Sequence, residues 1–176
     1  MNTEAFGGTI AVESEPGKGT AFTIHLKAPY MSGEDYHMHY TASKLQTDLA
    51  GKKILLVEDH KLNMEIAKKI LEKKQMNVTC AYNGAEAVAL FEKMPEYTFD
   101  AVIMDIRMPV MNGLEAAAAI RAGAKADAKT IPIIAMSANA FAEDMEESRR
   151  AGMNRHVAKP VEPERLFDVL SEIFSN

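Results

Sequence analysis

The chain has 176 residues, a length typical of one domain with a short additional segment. Its content of 47% apolar and 26% charged residues is that of a globular protein and excludes a collagen-like or wholly disordered chain. The net charge of −5 disfavours nucleic acid and anionic membranes as main partners, because both repel a negative surface. A single cysteine, Cys80, excludes an internal disulfide, and no apolar stretch approaches the roughly 18 residues of a membrane span. We therefore expect a soluble, cytoplasmic protein.

The first 29 residues contain two segments in which apolar and polar residues alternate, at 10–13 and 22–26, separated by the turn-forming residues 15–20. This pattern predicts a β-hairpin with a long loop and one apolar face. An isolated hairpin is marginally stable in water, so we expect it to pack on the rest of the chain or to pair with a second copy as a homodimer. Residues 30–50 show no sustained period and are predicted to be a linker.

From residue 51 onward, short apolar runs alternate with helical patterns. Each run is continuous and bounded by polar or turn residues, as expected for strands that are buried on both faces. Five such units in about 125 residues predict an α/β fold with a parallel sheet and helices on both faces. The predicted strands are Ile54–Val57, Val78–Ala81, Ala101–Met104, Ile131–Met136 and His156–Ala158.

The helices between these strands have recognisable starts. Asn83 and Asn112 are each followed three residues later by a glutamate, which resembles a capping box. Two further helices are predicted at 141–150 and 163–174. In the first helix, residues 62, 66 and 70 are apolar and four apart, and we expect this face to be directed to the core, with the lysines on the opposite face.

Polar side chains collect where four of the predicted strands end. Glu58 and Asp59 follow the first strand, Asp105 the third, Ser137 the fourth and Lys159 the fifth. In a doubly wound parallel sheet these positions share one edge, where function is concentrated. Clustered carboxylates favour a hard cation such as Mg2+, and an aspartate beside such a cation can attack phosphorus while the lysine and the hydroxyl bind the phosphoryl oxygens. The sequence therefore predicts a phosphoryl-transfer site.

The segments KILLVEDH, AVIMDIRMPVMNG, PIIAMSA and AKP together resemble the receiver domain of response regulators and hybrid histidine kinases, over residues 51–176. This resemblance implies a flavodoxin-like (βα)5 fold, strand order 2-1-3-4-5, that takes a phosphoryl group from phosphohistidine and is not a free-standing enzyme. Expected partners are a histidine kinase or a histidine-phosphotransfer domain. The implied roles are Asp105 as phosphoryl acceptor, Glu58, Asp59, Asp105 and the backbone carbonyl of Arg107 as Mg2+ (or Mn2+) ligands, Ser137 and His156 as switch residues, and Lys159 as the catalytic lysine before a cis bond to Pro160.

The segment GGTIAVESEPGKGTAFTIHL resembles the last two strands of a histidine kinase ATP-binding domain. We interpret residues 1–29 as the C-terminal remnant of such a domain, in a chain that derives from a hybrid histidine kinase. Two other functions remain open. An aspartyl-phosphate phosphatase commonly carries an acid two residues after the nucleophile, where this chain has Arg107. A flavin- or nucleotide-binding protein of the same architecture is disfavoured by the acidic strand ends.

Overall fold

A computed structural model describes residues 9–15, 17–25, 47–138 and 142–175. Most of the predicted linker, residues 30–46, lies outside the described residues, as do residues 1–8 and 26–29 of the predicted kinase remnant. The chain divides into two compact units, Met1–Lys44 and Leu45–Asn176, and each is considered by itself.

The first unit contains the predicted β-hairpin. Strand β1 (Thr9–Glu15) pairs antiparallel with β2 (Gly19–His25), with Glu15 opposite Gly19. The connection between Glu15 and Gly19 is shorter than the long loop that the sequence predicts. Gly17 has φ of 81° and Gly19 has φ of 104°, a backbone region that other residues rarely adopt, so these glycines permit the tight connection. One apolar group of the hairpin is exposed to solvent, and it comprises Val12, Phe22 and Ile24.

The second unit is built on a five-stranded parallel sheet, as predicted. Its strands are β3 (Lys53–Val57), β4 (Asn77–Ala81), β5 (Ala101–Asp105), β6 (Ile133–Ser137) and β7 (Arg155–Ala158). Their order in the sheet is β4-β3-β5-β6-β7, which is the expected order 2-1-3-4-5 when counted from β3. Strand β6 begins two residues later than the apolar run indicates, because Pro132 has no N–H to donate to the sheet.

Helices cover both faces of this sheet and bury its side chains. Successive residues of a strand point to opposite faces. Leu55 therefore lies in the core beneath the helices at Gly84–Lys93 and Gly113–Ala122, whereas Ile54 lies in the core beneath those at Lys61–Glu72 and Pro163–Phe174. The uninterrupted apolar runs are thus explained by burial on both sides. The helices are α1 (Lys61–Glu72), α2 (Gly84–Lys93), α3 (Gly113–Ala122), α4 (Ala142–Arg150) and α5 (Pro163–Phe174), with a short 3-10 helix at Ala126–Lys129.

The helix starts predicted at residues 83, 112 and 163 are confirmed, whereas residue 141, the predicted start of a further helix, lies outside the described residues. The Asn83 side chain accepts the backbone N–H of Glu86, and Asn112 forms a complete capping box with Glu115. Pro163 lies in the first turn of α5, where its missing N–H costs nothing.

The prediction for the apolar face of α1 is wrong in part. The side chains that α1 buries are Met64, Ala67, Ile70 and Leu71, whereas Leu62 is 62% exposed and Ile66 is 48% exposed. At about 100° per residue, Leu62 and Ile66 each lie about 160° around the helix from Met64. Neither can therefore lie on the face of α1 that buries Met64. Spacing by four residues indicated an apolar face but did not show which apolar face the sheet would cover.

The end of the predicted linker also differs from the prediction. Leu49 is 5% exposed and belongs to the core beneath α1 and α5. The hydroxyl of Thr47 forms hydrogen bonds with the backbone oxygen of Ser171 and the hydroxyl of Ser175. Residues 47–50 are therefore a packed part of the second unit.

Candidate functional site

The carboxyl ends of four parallel strands bring the predicted site residues to one edge of the sheet. Asp105 and Ser137 are the last residues of β5 and β6. Glu58 follows β3 directly, and Lys159 follows β7 directly. The register places the strand ends at one level, since Val57 pairs with Met104, Asp105 with Met136 and Ser137 with Ala158.

Lys159 joins the two buried acids of this edge. Its Nζ donates to Glu58 Oε2 at 2.5 Å and to Asp105 Oδ2 at 2.6 Å. Glu58 is only 2% exposed and Asp105 only 5%. Buried carboxylates need an ionic or hydrogen-bonding partner, and the ammonium of Lys159 supplies one for both. The peptide bond between Lys159 and Pro160 is cis in the structure, as predicted.

Two further donors hold the second oxygen of Glu58, and sequence analysis did not identify either of them. Asn63 Nδ2 donates to Glu58 Oε1 at 3.2 Å, and the backbone N–H of His60 donates to the same oxygen at 3.4 Å. Both donors lie at the start of α1, directly after the acidic pair. A polar side chain in the first turn of a helix that follows a site residue is the sequence signal that would have indicated Asn63.

Asp105 is held at both carboxylate oxygens and closely approached by α3. The backbone N–H of Arg107 donates to its Oδ1 at 3.1 Å. A Cβ on Gly113, the first residue of α3, would lie 2.1 Å from the Asp105 backbone oxygen. Only glycine allows the helix to start this close to Asp105.

Burial and charge act against each other on the ionisation of Asp105 and Lys159. Burial raises the pKa of the Asp105 carboxyl above its ordinary value, although the hydrogen bond and charge of Lys159 act to lower it. Burial lowers the pKa of Lys159, but hydrogen bonds and charges from Asp105 and Glu58 outweigh this effect and raise it overall. The lysine is therefore protonated at neutral pH, and additional positive charge beside Asp105 would favour its ionised form.

Glu58, Asp59 and Asp105 form an acidic cluster that fits a divalent cation. Each contributes one carboxylate oxygen, and these oxygens all lie within 4.8 Å of one another. Asp59 is exposed, which leaves the cluster open to solvent on one side. One lysine balances only part of this negative charge, and carboxylate oxygens are the ligands that Mg2+ prefers. The structure brings the three predicted acidic ligands together.

Ser137 and His156 lie in contact on neighbouring strands. The hydroxyl Oγ of Ser137 and Nε2 of His156 are 2.7 Å apart, and Ser137 is 3% exposed. His156 pairs in register with Ala135, two residues before Ser137 on β6. The two predicted switch residues therefore form a direct, sheltered hydrogen bond.

Within the described part of the chain, no helix has the length and apolar character needed to cross a membrane.

Comparison with known proteins agrees with this arrangement. The family model of the response regulator receiver domain matches residues 54–171. The autoinducer 2 sensor kinase/phosphatase LuxQ of Vibrio vulnificus is 36% identical over 169 residues, covering 95% of this chain and 19% of LuxQ. The chain spans a fifth or less of the length of the curated relatives it matches, which include hybrid and plant histidine kinases.

Two solved structures are similar in fold. One is the receiver domain of sensor histidine kinase PA1611 from Pseudomonas aeruginosa, with a magnesium ion in its active-site cleft. It is 36% identical to this chain, with a TM-score of 0.65, and the match covers 72% of this chain and all of that one. The other is the receiver domain of yeast Ssk1 in a co-crystal with the histidine phosphotransfer protein Ypd1, with 26% identity, a TM-score of 0.64, and coverage of 72% and 90%. The order of the five parallel strands and the family match over residues 54–171 lead to one conclusion: this chain belongs to the response regulator receiver domain family, which acts in phosphorelay signalling.

Proposed function

We propose that Asp105 accepts a phosphoryl group from a phosphohistidine in a reaction that requires Mg2+ (or Mn2+). The observation that carries this proposal is the position of Asp105 within the acidic cluster, with Lys159 Nζ 2.6 Å from its Oδ2. Glu58, Asp59, Asp105 and the backbone carbonyl of Arg107 would hold the cation. When bound, the cation neutralises charge on the carboxylates and on the incoming phosphoryl group.

Each remaining residue of the site has a distinct task in this proposal. Asp105 Oδ attacks phosphorus, and the bond to the histidine nitrogen of the donor breaks as the new acyl phosphate forms. Lys159 pairs with one phosphoryl oxygen, and the Ser137 hydroxyl donates to another. The movement of Ser137 toward the phosphoryl group, together with His156, would change the surface formed by α4, β7 and α5. The chain would not turn over small phosphate esters steadily, because Arg107 stands where a phosphatase needs an acid.

Substitution of Asp105 tests the acceptor directly. The full chain is incubated with acetyl phosphate and Mg2+, and phosphoprotein is measured by intact mass. We expect the wild type to gain one phosphoryl group and Asp105→Asn to gain none. Asp100→Asn is the matched control, because Asp100 precedes the other end of the same strand. Equal labelling of wild type and Asp105→Asn, or labelling that persists in EDTA, would refute the assignment.

We also propose that a histidine-phosphotransfer domain or a kinase docks on the α1 apolar patch, Leu62 and Ile66. Helix α1 begins two residues after Asp59, so the patch starts beside the acidic cluster. Both side chains are largely exposed, and a small apolar surface next to a reactive acid is a suitable contact for a protein that must deliver its phosphohistidine there. The Ypd1 complex of the similar Ssk1 receiver domain supports a partner of this class.

A comparison of two phosphoryl donors tests the docking patch. Leu62→Ser and Ile66→Ser are expected to lower the rate of transfer from a phosphorylated phosphotransfer protein by about tenfold each. Labelling by acetyl phosphate, which needs no docking surface, should not change. Lys68→Ser on another face of α1 is the control and should leave both rates unchanged. Equal losses with both donors would indicate damage to the site and contradict the docking role.

For the N-terminal residues we propose an origin in the ATP-binding domain of a hybrid histidine kinase. The LuxQ match supports this origin, since it covers 95% of the chain and extends beyond residues 54–171.

The exposed hairpin residues Val12, Phe22 and Ile24 would pair with a second copy of this chain. Analytical ultracentrifugation should find a concentration-dependent dimer that Phe22→Ser weakens. A monomer at all concentrations would exclude this assembly. A cytoplasmic location is part of the same proposal.

A further inference from the structure

The hydrogen bond between Ser137 and His156 connects the proposed phosphoryl-binding hydroxyl to a side chain outside the acidic cluster. It joins adjacent strands β6 and β7, and its length of 2.7 Å indicates a well-formed contact. Ser137 is 3% exposed, so water does not easily replace His156 as its partner. A hydrogen bond in such a sheltered place is stronger and more directional than one at the surface.

The pleat of the sheet directs Ser137 and Asp105 to different sides. Asp105 pairs in register with Met136, which lies in the core beneath α1 and α5. Ser137 is the next residue on β6 and follows the alternation of Ala135, which lies in the core beneath α2 and α3. His156 is in register with Ala135 and therefore on the same side as Ser137. The hydrogen bond to His156 holds the hydroxyl on the side away from Asp105.

A serine hydroxyl has one proton, and it can donate that proton to one strong acceptor at a time. Phosphoryl oxygens are acceptors, so Ser137 must donate to them. The neutral imidazole with its proton on Nδ1 offers Nε2 as a competing acceptor.

We propose that His156 is a positioning residue whose Nε2 accepts the Ser137 hydroxyl proton in the unphosphorylated protein and withholds it from Asp105 until a phosphoryl group competes for it. This inference rests on the proposed function, because the competing acceptor is the phosphoryl group on Asp105. It assigns His156 a restraining effect on phosphoryl binding, in addition to a place on the switch surface. Loss of the ring nitrogen should therefore favour the phosphorylated state.

A double-mutant cycle with beryllofluoride, a phosphoryl analogue, tests the competition. The affinity of the full chain for BeF3− in the presence of Mg2+ is measured by 19F NMR for wild type, His156→Phe, Ser137→Ala and the double variant. Phenylalanine keeps a flat ring and removes Nε2, so His156→Phe should bind BeF3− about two- to tenfold more tightly, the range expected for one net hydrogen bond. In the Ser137→Ala background the same substitution should have no effect. His156→Gln, which restores an acceptor, should return the affinity toward that of wild type.

Two results would overturn the inference. One is an equal effect of His156→Phe in both backgrounds, including no effect in either, because a change in packing alone would act without the hydroxyl. The other is weaker binding in His156→Phe while far-UV circular dichroism shows a folded protein.

The imidazole itself can also be observed. Nitrogen-15 NMR of the histidine side chains, with the His156→Phe spectrum as assignment, should show Nε2 of His156 unprotonated and its shift altered both by Ser137→Ala and by BeF3−. A protonated Nε2 would make His156 the donor and refute its proposed role as acceptor of the Ser137 proton. A wild type that does not bind BeF3− at all would instead refute the proposed function, so the two failures are distinguishable.

Discussion

Replacement of Gly113 by alanine should disturb both the stability of the second unit and the position of Asp105. The added Cβ would lie 2.1 Å from the Asp105 backbone oxygen and 3.0 Å from the Ile106 Cα, and both are backbone atoms that no side-chain rotation can move away. An ordinary contact requires more than an ångström of additional separation from the oxygen. The backbone N–H of Gly113 also donates to the Ile106 oxygen at 2.9 Å, so moving α3 away strains this bond.

The expected cost is at the upper end of that for overpacking, about 3 kcal/mol, or roughly a hundredfold in the folding equilibrium. The chain has no tryptophan, so unfolding in urea is followed by far-UV circular dichroism. Gly123→Ala is the matched control, because Gly123 has an ordinary negative φ and its added Cβ would come no closer than 3.0 Å to the Ile120 oxygen. We expect the control to stay within about 1 kcal/mol of wild type.

The same variant reports on the site. Folded Gly113→Ala should label more slowly with acetyl phosphate than wild type, since its Asp105 carbonyl is displaced, whereas Gly123→Ala should label normally. An unfolding free energy of Gly113→Ala within about 0.5 kcal/mol of wild type would show that α3 does not need to start against Asp105, and would refute the reasoning.

Three further predictions concern separate parts of the second unit. Val110 is 86% exposed and has φ of 72°. Val110→Gly should therefore raise the free energy of unfolding in urea by about 0.5–1 kcal/mol, because it relieves left-handed backbone strain, and Val110→Ala should raise it by less. A loss of stability in Val110→Gly would contradict this reasoning. Lys159→Met leaves the buried carboxylates of Glu58 and Asp105 without their ammonium partner and should lower the free energy of unfolding by about 2–3 kcal/mol. Mg2+ should raise the thermal midpoint of this variant more than that of wild type. Equal increases would show that the lysine and the metal do not share the acidic cluster. Arg121 donates to the backbone oxygens of residues 128, 131 and 152 and to the Asn154 side chain, so Arg121→Lys should cost about 2 kcal/mol in urea without loss of labelling, whereas Arg149→Lys, a surface change, should cost nothing measurable.

The sequence predicted most of the fold because its signals are local. Apolar runs predicted five strands to within two residues, and the asparagines at 83 and 112 marked the starts of α2 and α3. Such signals depend on side chains within one turn of each other, which the sequence contains in full. The position of the acids directly after the strands then predicted that they would share an edge, since all carboxyl ends of a parallel sheet do so.

Other features depend on which surfaces meet, and the sequence alone does not contain that information. Leu62 and Ile66 have the spacing of residues on a core face, yet the side of α1 that packs on the sheet carries Met64 and leaves them exposed. The contact of Asn63 with Glu58 and that of His156 with Ser137 follow from the placement of a helix start and of two neighbouring strands.

The sequence by itself therefore determined the elements, their order and the chemical character of the site, because periodicity, capping and strand-end position are properties of short segments. Only the tertiary structure decided which face of α1 is covered, which oxygen each donor holds and on which side of the sheet Ser137 lies. These depend on interactions between segments that are distant in sequence, where differences of an ångström decide whether a contact forms.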